Sequence, residues 1–350
     1  MTETRSVQPR HPFVEMTITR LLVMLREPEM IFWVFAFPLL MALALGIAFR
    51  SPTEAHVAVA VEPGVGAAEI IDVLSASDTV EIVPVDPGGT ENALRDGLAH
   101  LVVVPGDPPR YRYDPTRPES RLARQTVDDL LQRAAGREDV WTGRDEAVTA
   151  TGSRYIDWLI PGLLGMNIMG TGMWGVGFTL VLQRTRKLLK RLIATPMRRY
   201  QYLAALVAAR LVLLGLEVAA LVGFARLIFG VPIAGSLVNL GVVSLLGAMT
   251  FSGVGLLTAS RAQTIEGISG IMNVVMVPMW ICSGIFFAAS NFPDPLQPFI
   301  QALPLTALVD ALRSVMLDGN GLLATAPELL ILAAWCGGSF VLALRIFKWR

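Results

Sequence analysis

Gln183-Arg-Thr-Arg-Lys-Leu-Leu-Lys-Arg-Leu-Ile-Ala-Thr-Pro-Met-Arg-Arg199 carries seven basic residues and no acidic one between two long apolar runs. Lys and Arg that flank membrane spans are retained on the cytoplasmic side, so this stretch reads as an inner loop. Leu188, Leu189, Leu192 and Ile193 fall on one helical face before Thr195-Pro196 stops the helix. The expected element is a short amphipathic helix under a membrane, placed where a soluble partner can push it.

Composition agrees with a membrane chain. Of the 350 residues 53% are hydrophobic and 17% charged, against roughly 25% charged in a soluble domain, and the mean hydropathy is +0.55. The net charge of zero conceals a sorting: eighteen of the 29 acidic residues lie between Arg50 and Arg154. Cys282 and Cys336 both sit in apolar runs, which fits neither a disulfide framework nor a thiolate metal site. Glu3, Glu15, Glu27 and Glu29, with no small-residue cleavage site, argue against a secretory signal and for a cytoplasmic N-terminus.

A span needs about 20 mostly apolar residues. Six are expected: residues 31–49, 159–182, 202–229, 237–258, 267–289 and about 329–344. Pro38 lies inside the first, where a neighbouring helix can re-satisfy the carbonyl it frees. Residues 1–30 form a cytoplasmic N-terminus with an interfacial elbow helix at 13–26, resting on membrane lipid. Basic residues of the short loops fall on the side of both termini, and the opposite short loops hold Arg313 alone. That charge bias puts both termini in the cytoplasm of a multi-pass protein.

Residues 50–154 form one extracytoplasmic insertion. His56–Val61, Thr79–Val83, Leu101–Val104 and Tyr111–Asp114 read as extended, and 67–74, 90–98 and 119–135 as helical, so the insertion is expected to be an α/β domain. Residues 155–350 hold spans two to six, the basic loop (183–201) and a proline-broken segment (290–305) with four prolines, which cannot cross as one helix and reads as re-entrant. Leu305–Leu317 is expected to run along the outer surface.

In combination these features resemble the permease subunit of ABC type-2 exporters, in particular the drug-efflux-like members with a large ectodomain. The phrases that carry the resemblance are Leu188-Leu-Lys-Arg-Leu-Ile-Ala-Thr-Pro-Met197, Tyr155-Ile-Asp-Trp-Leu-Ile-Pro-Gly162 and Tyr113-Asp-Pro-Thr-Arg-Pro-Glu119. The resemblance implies a half-transporter of a bacterial inner membrane, paired with a second permease copy (homodimer or related heterodimer) and seated on a cytoplasmic ABC ATPase subunit. It also implies that the basic loop couples to that ATPase through Lys190, Arg191, Leu192, Ala194, Thr195 and Pro196, with Arg26 and Glu27 as a second contact. The plainer alternatives are a topology anchor touching lipid headgroups and a helix cap.

No G-x-x-x-x-G-K-[ST] phosphate loop occurs, so the chain is not expected to hydrolyse ATP, and ATP and Mg2+ would act only through the partner. No catalytic, metal-binding or nucleic-acid-binding constellation is expected. Arg210 and Glu217, seven apart in span three, lie on nearly one face; they read either as a conformational latch or polar wall of a path, or as a static pair. Met166, Met169 and Met173, with Met272, Met276 and Met279, form stripes that either pack helices or line a lipophilic path. Phe286, Phe287 and Phe292 are candidates for an outer gate. The leading function is ATP-driven export of a lipophilic or amphipathic compound such as a drug, lipid or natural product. The rival is a membrane sensor or secondary transporter with a ligand-binding ectodomain.

Overall fold

The computed structural model describes residues 12–49, 56–85, 89–139, 141, 143, 152, 154–187 and 199–346. The chain divides into two compact units, one made of residues up to 50 and from 149 onward, the other of Ser51–Val148.

Among the described residues of the first unit, six helices are long and apolar enough to cross a membrane: span one (Pro28–Ala48), span two (Tyr155–Thr185), span three (Ala204–Phe229), span four (Leu237–Ala259), span five (Ile265–Cys282) and span six (Ala326–Ile346). The chain is thus a polytopic helical membrane protein with a small inserted α/β unit. Local chemistry sets the ends. Ser236 Oγ accepts from Val238 N at 3.2 Å and Thr264 Oγ1 accepts from Gly267 N at 3.1 Å, so spans four and five start at side-chain caps. Span three, continuous from Arg199, stops at Gly230, whose φ of +62° suits the left-handed cap. The backbone N–H of Val231 then reaches back to the Ala225 carbonyl at 3.2 Å, satisfying an otherwise orphaned acceptor.

Helix α1 (Pro12–Arg26) lies against span three and buries part of Met16 in the helical core. Spans two and four form the centre, where glycine permits contact: a Cβ at Gly172 would sit 2.8 Å from Phe251 Cβ, and one at Gly177 would overlap the Gly255 carbonyl. Small residues at such a crossing let backbones approach and gain dispersion contact where lipid supplies no hydrophobic drive.

Two departures from the sequence expectations concern the end of span five. The helix closes at Cys282 rather than continuing to 289, because the chain turns at Gly284 with φ +74°. Short turns follow at Ala289–Asn291 and Asp294–Leu296, then α5 (Gln297–Gln301) and α6 (Pro304–Met316), with an 82° bend between the Asp294–Gln301 stretch and α6. Helix α6 does not run along an outer surface. Leu305, Leu308, Val309, Leu312, Val315 and Met316 are fully buried among spans two, four and six.

The second unit is a four-stranded sheet in the order β2-β1-β3-β4, with β1 (Val57–Val61), β2 (Val80–Ile82) and β3 (Leu101–Val104) parallel and β4 (Arg110–Arg112) antiparallel to β3. Helices α2 (Ala67–Ser75) and α4 (Pro118–Ala134) cover Val57, Val59, Leu101 and Val103, while α3 (Thr90–Arg95) covers Ala60, Val102 and Val104. Both faces are covered, which is why β3 reads as an unbroken apolar run. The Asp114-Pro-Thr-Arg-Pro phrase is a structural joint. Asp114 Oδ1 accepts from Thr116 N at 2.9 Å and Thr116 Oγ1 at 2.6 Å, holding that carboxyl below its ordinary range. Arg117 donates to the Leu94 and Arg95 carbonyls at 3.1 and 3.3 Å, which closes α3.

Candidate functional site

The polar centre of the helical unit begins at a proline. Pro38 has no N–H to give the Val34 carbonyl, and the backbone around it widens into a π-helical turn, Phe32–Ala36. Asn167 of span two donates through Nδ2 to that carbonyl at 3.1 Å. The freed acceptor of span one is therefore satisfied by a neighbouring helix, as Pro38 in an apolar run predicts.

One turn further along span two, Thr171 Oγ1 lies 2.6 Å from the Asn167 carbonyl and 3.2 Å from Glu217 Oε2, so its single proton serves one or the other. Arg210 and Glu217 pair with each other in a fork: Nη1 to Oε1 at 3.1 Å and Nη2 to Oε2 at 2.9 Å. Arg210 Nη2 also donates to the Thr171 hydroxyl. Both charged residues are 1% exposed. Two charges at this depth hold only when forked and hydrogen-bonded, since desolvation otherwise exceeds their attraction. A second π-helical turn, Met173–Phe178, lies beside the pair, with Gly175 3.6 Å from the Arg210 Cδ by its Cβ direction and 3.9 Å from Met24 of α1. Spans one, two and three are thus joined by one chain of polar contacts from Val34 to Arg210. A narrow crevice bounded by Val34, Pro38, Asn167, Glu217 and Leu221 reaches it.

The methionine stripes meet. Met272 Cε approaches Gly177 and Met276 Cε approaches Gly170 at 3.9 Å, measured to the glycine Cβ direction. Met166, Met169, Met173, Met272, Met276 and Met279 are all buried in the same core cluster, so in this conformation they pack spans two and five together. Phe287 and Phe292 touch, ring centroids 5.9 Å apart, with Phe287 43% exposed and Phe286 half-buried. Arg26 and Glu27 form the exposed corner between α1 and span one, where Pro28 starts the next helix. Lys190, Arg191, Leu192, Ala194, Thr195 and Pro196 lie outside the described residues. Sequence reasoning missed Asn167 and Thr171. Their signal was faint: two polar residues four apart in an uncharged run.

Six apolar spans with a buried ion pair and an inserted α/β unit define a polytopic helical membrane protein. The model of the ABC-2 family transporter proteins matches residues 28–345, and the chain belongs to that family. Similar proteins include the inner membrane transport permease YhhJ of Escherichia coli K12, 28% identical over 49% of this chain and 46% of the relative. ABC transporter G family member 20 of Dictyostelium discoideum is 30% identical over 49% of this chain and 23% of its own length. The inner membrane transport permease YadH of E. coli K12 is 25% identical over 48% and 66% respectively. The match thus spans about half of the first relative's length.

Proposed function

We propose that the chain is the transmembrane permease subunit of an ATP-driven exporter of a bacterial inner membrane, with both termini cytoplasmic. It pairs with a second permease copy and takes its energy from a separate ABC ATPase subunit that binds ATP and Mg2+. The substrate class is lipophilic or amphipathic, a reading supported by the apolar, methionine-rich packing between spans two and five.

The observation that supports this reading most is the arrangement at the buried pair. The basic loop joins the end of span two to the start of span three, and those two spans are tied at mid-depth by Arg210, Glu217 and Thr171. A force applied to that loop by a soluble partner reaches both spans at once. Span one and α1 follow through Asn167 and Gly175. We read the pair as a latch between conformations, and Lys190, Arg191, Leu192, Ala194, Thr195 and Pro196 as the docking residues, with Arg26 and Glu27 beside them. Met166, Met169, Met173, Met272 and Met276 line a path when the spans part, and Phe286, Phe287 and Phe292 close its outer mouth.

The test is export of lipophilic dyes from vesicles that hold this chain and its ATPase. Wild-type chain should move dye only with ATP, and Lys190→Glu with Arg191→Glu should abolish movement at normal expression. Equal export by that variant removes the coupling assignment.

A further inference from the structure

At the end of the helical unit marked by Phe49, Tyr155 and Gly230, one side chain touches three elements. Arg313, on α6, lies with its guanidinium 3.8 Å above the Trp158 ring of span two. It donates to the Gly284 carbonyl in the turn that ends span five, and through Nε to the Trp158 carbonyl at 3.4 Å. Its side chain is 15% exposed, and Asp310, one turn back on α6, is 3.7 Å from Nη1. Glycine suits the turn because its φ of +74° is one that side chains disfavour, and a Cβ there would stand in contact with Arg313 Nη1 at 3.4 Å.

Next to this contact the turn is held against span two twice more. Ile285 is fully buried and its carbonyl lies 2.9 Å from the Cβ direction of Gly162. Tyr155 donates its hydroxyl to the Phe286 carbonyl at 3.1 Å. Both of these contacts are local to one pair of elements. Arg313 alone among them binds span two, the span-five turn and α6 together, and an Arg is suited to it because a planar guanidinium can stack and fork at the same time.

We propose that Arg313 is the positioning residue that keeps this end of the permease closed, a clamp that must leave Trp158 and Gly284 before spans two and five can separate. This rests on the export reading, in which those spans part to release substrate. The phenylalanines that close the outer mouth on that reading lie beside the clamp and part when it releases.

The experiment is cysteine labelling in nanodiscs, where both faces are accessible, on protein carrying Cys282→Ala and Cys336→Ala. A cysteine at Ile285 reports the clamp, and one at Ser244, buried in span four, is the control. Arg313→Gln and Trp158→Leu should each raise maleimide labelling at 285 about ten-fold, the shift expected from losing a cation–π contact and a hydrogen bond, with 244 unchanged. Arg313→Lys, which keeps the charge but cannot fork, should fall between. If Arg313→Gln does not accumulate, Trp158→Leu reads the same clamp with the cation kept. Unchanged labelling at 285, or equal rises at 285 and 244, overturns the proposal. Adding the ATPase with ATP should raise wild-type labelling at 285; if Arg313→Gln opens the site and ATP does not, the clamp stands and the export reading fails.

Discussion

Removing one member of the Arg210–Glu217 pair should cost far more than removing both. Each residue is 1% exposed, and each satisfies the other through two hydrogen bonds of 2.9 and 3.1 Å. Glu217→Ala leaves a guanidinium buried without an anion, and Arg210→Ala leaves a carboxylate without a cation; each should lose about 3–5 kcal/mol. Arg210→Met combined with Glu217→Leu fills a similar volume without charge and should lie near zero or be stabilising by ~1–4 kcal/mol. The apparent interaction in the double-mutant cycle is then several kcal/mol. Reversible unfolding in mixed micelles, followed by tryptophan fluorescence, measures it. Single variants costing under ~1 kcal/mol, or costs that simply add, would refute the reasoning. The stable double variant also separates latch from static pair: dye export should fall at least ten-fold if the pair switches and persist if it only holds the helices together.

Three further outcomes follow from the same structure. Asn167→Leu should cost about 1–3 kcal/mol by leaving the Val34 carbonyl unpaired, and Pro38→Ala should recover most of it by restoring a backbone N–H; an unchanged cost in the Pro38→Ala background counts against the assignment. Gly177→Val should prevent stable folding by driving into the Gly255 carbonyl, whereas Gly215→Ala, whose Cβ meets nothing within 4 Å, should be neutral or stabilising by up to ~1 kcal/mol, both read as yield and unfolding midpoint. In the inserted unit, burial and the bond to Asp128 push the Tyr111 hydroxyl up to about 12. A raised tyrosine favours the folded state below its ordinary value near 10, and that contribution is lost as pH rises through about 12. Difference ultraviolet titration of wild type against Tyr111→Phe should therefore show one tyrosine ionising late, and its ionising with the rest would contradict the burial argument.

Much of the architecture is legible in the residues because membrane spans announce themselves. Uncharged runs and a proline whose carbonyl needs a donor are local signals, and the helices stand on those runs, with span five closing at Cys282, short of the expected 289. The β3 run Leu101-Val-Val-Val104 is legible for the same reason: covered on both faces, it has no polar alternation to hide it. Where tertiary packing decides, the reading fails. Helix α6 has an amphipathic pattern that suits a surface, yet spans two, four and six enclose it. The π-helical turns carry no distinct sequence mark. Trp158, Gly284 and Arg313 lie up to 155 residues apart, so only their meeting in space reveals the clamp. One trace was visible: Arg313 is the exception to the charge bias of the short loops on its side.

On the proposed reading a separate ABC ATPase subunit moves this chain. The most direct measurement is co-purification of the co-expressed ATPase with the chain from detergent-solubilised membranes, scored for wild type and for Lys190→Glu with Arg191→Glu. Expected is a stoichiometric complex with wild type and release of the ATPase by the variant, with the variant's unfolding midpoint unchanged. Equal recovery of the ATPase with both chains, or with neither, would contradict it.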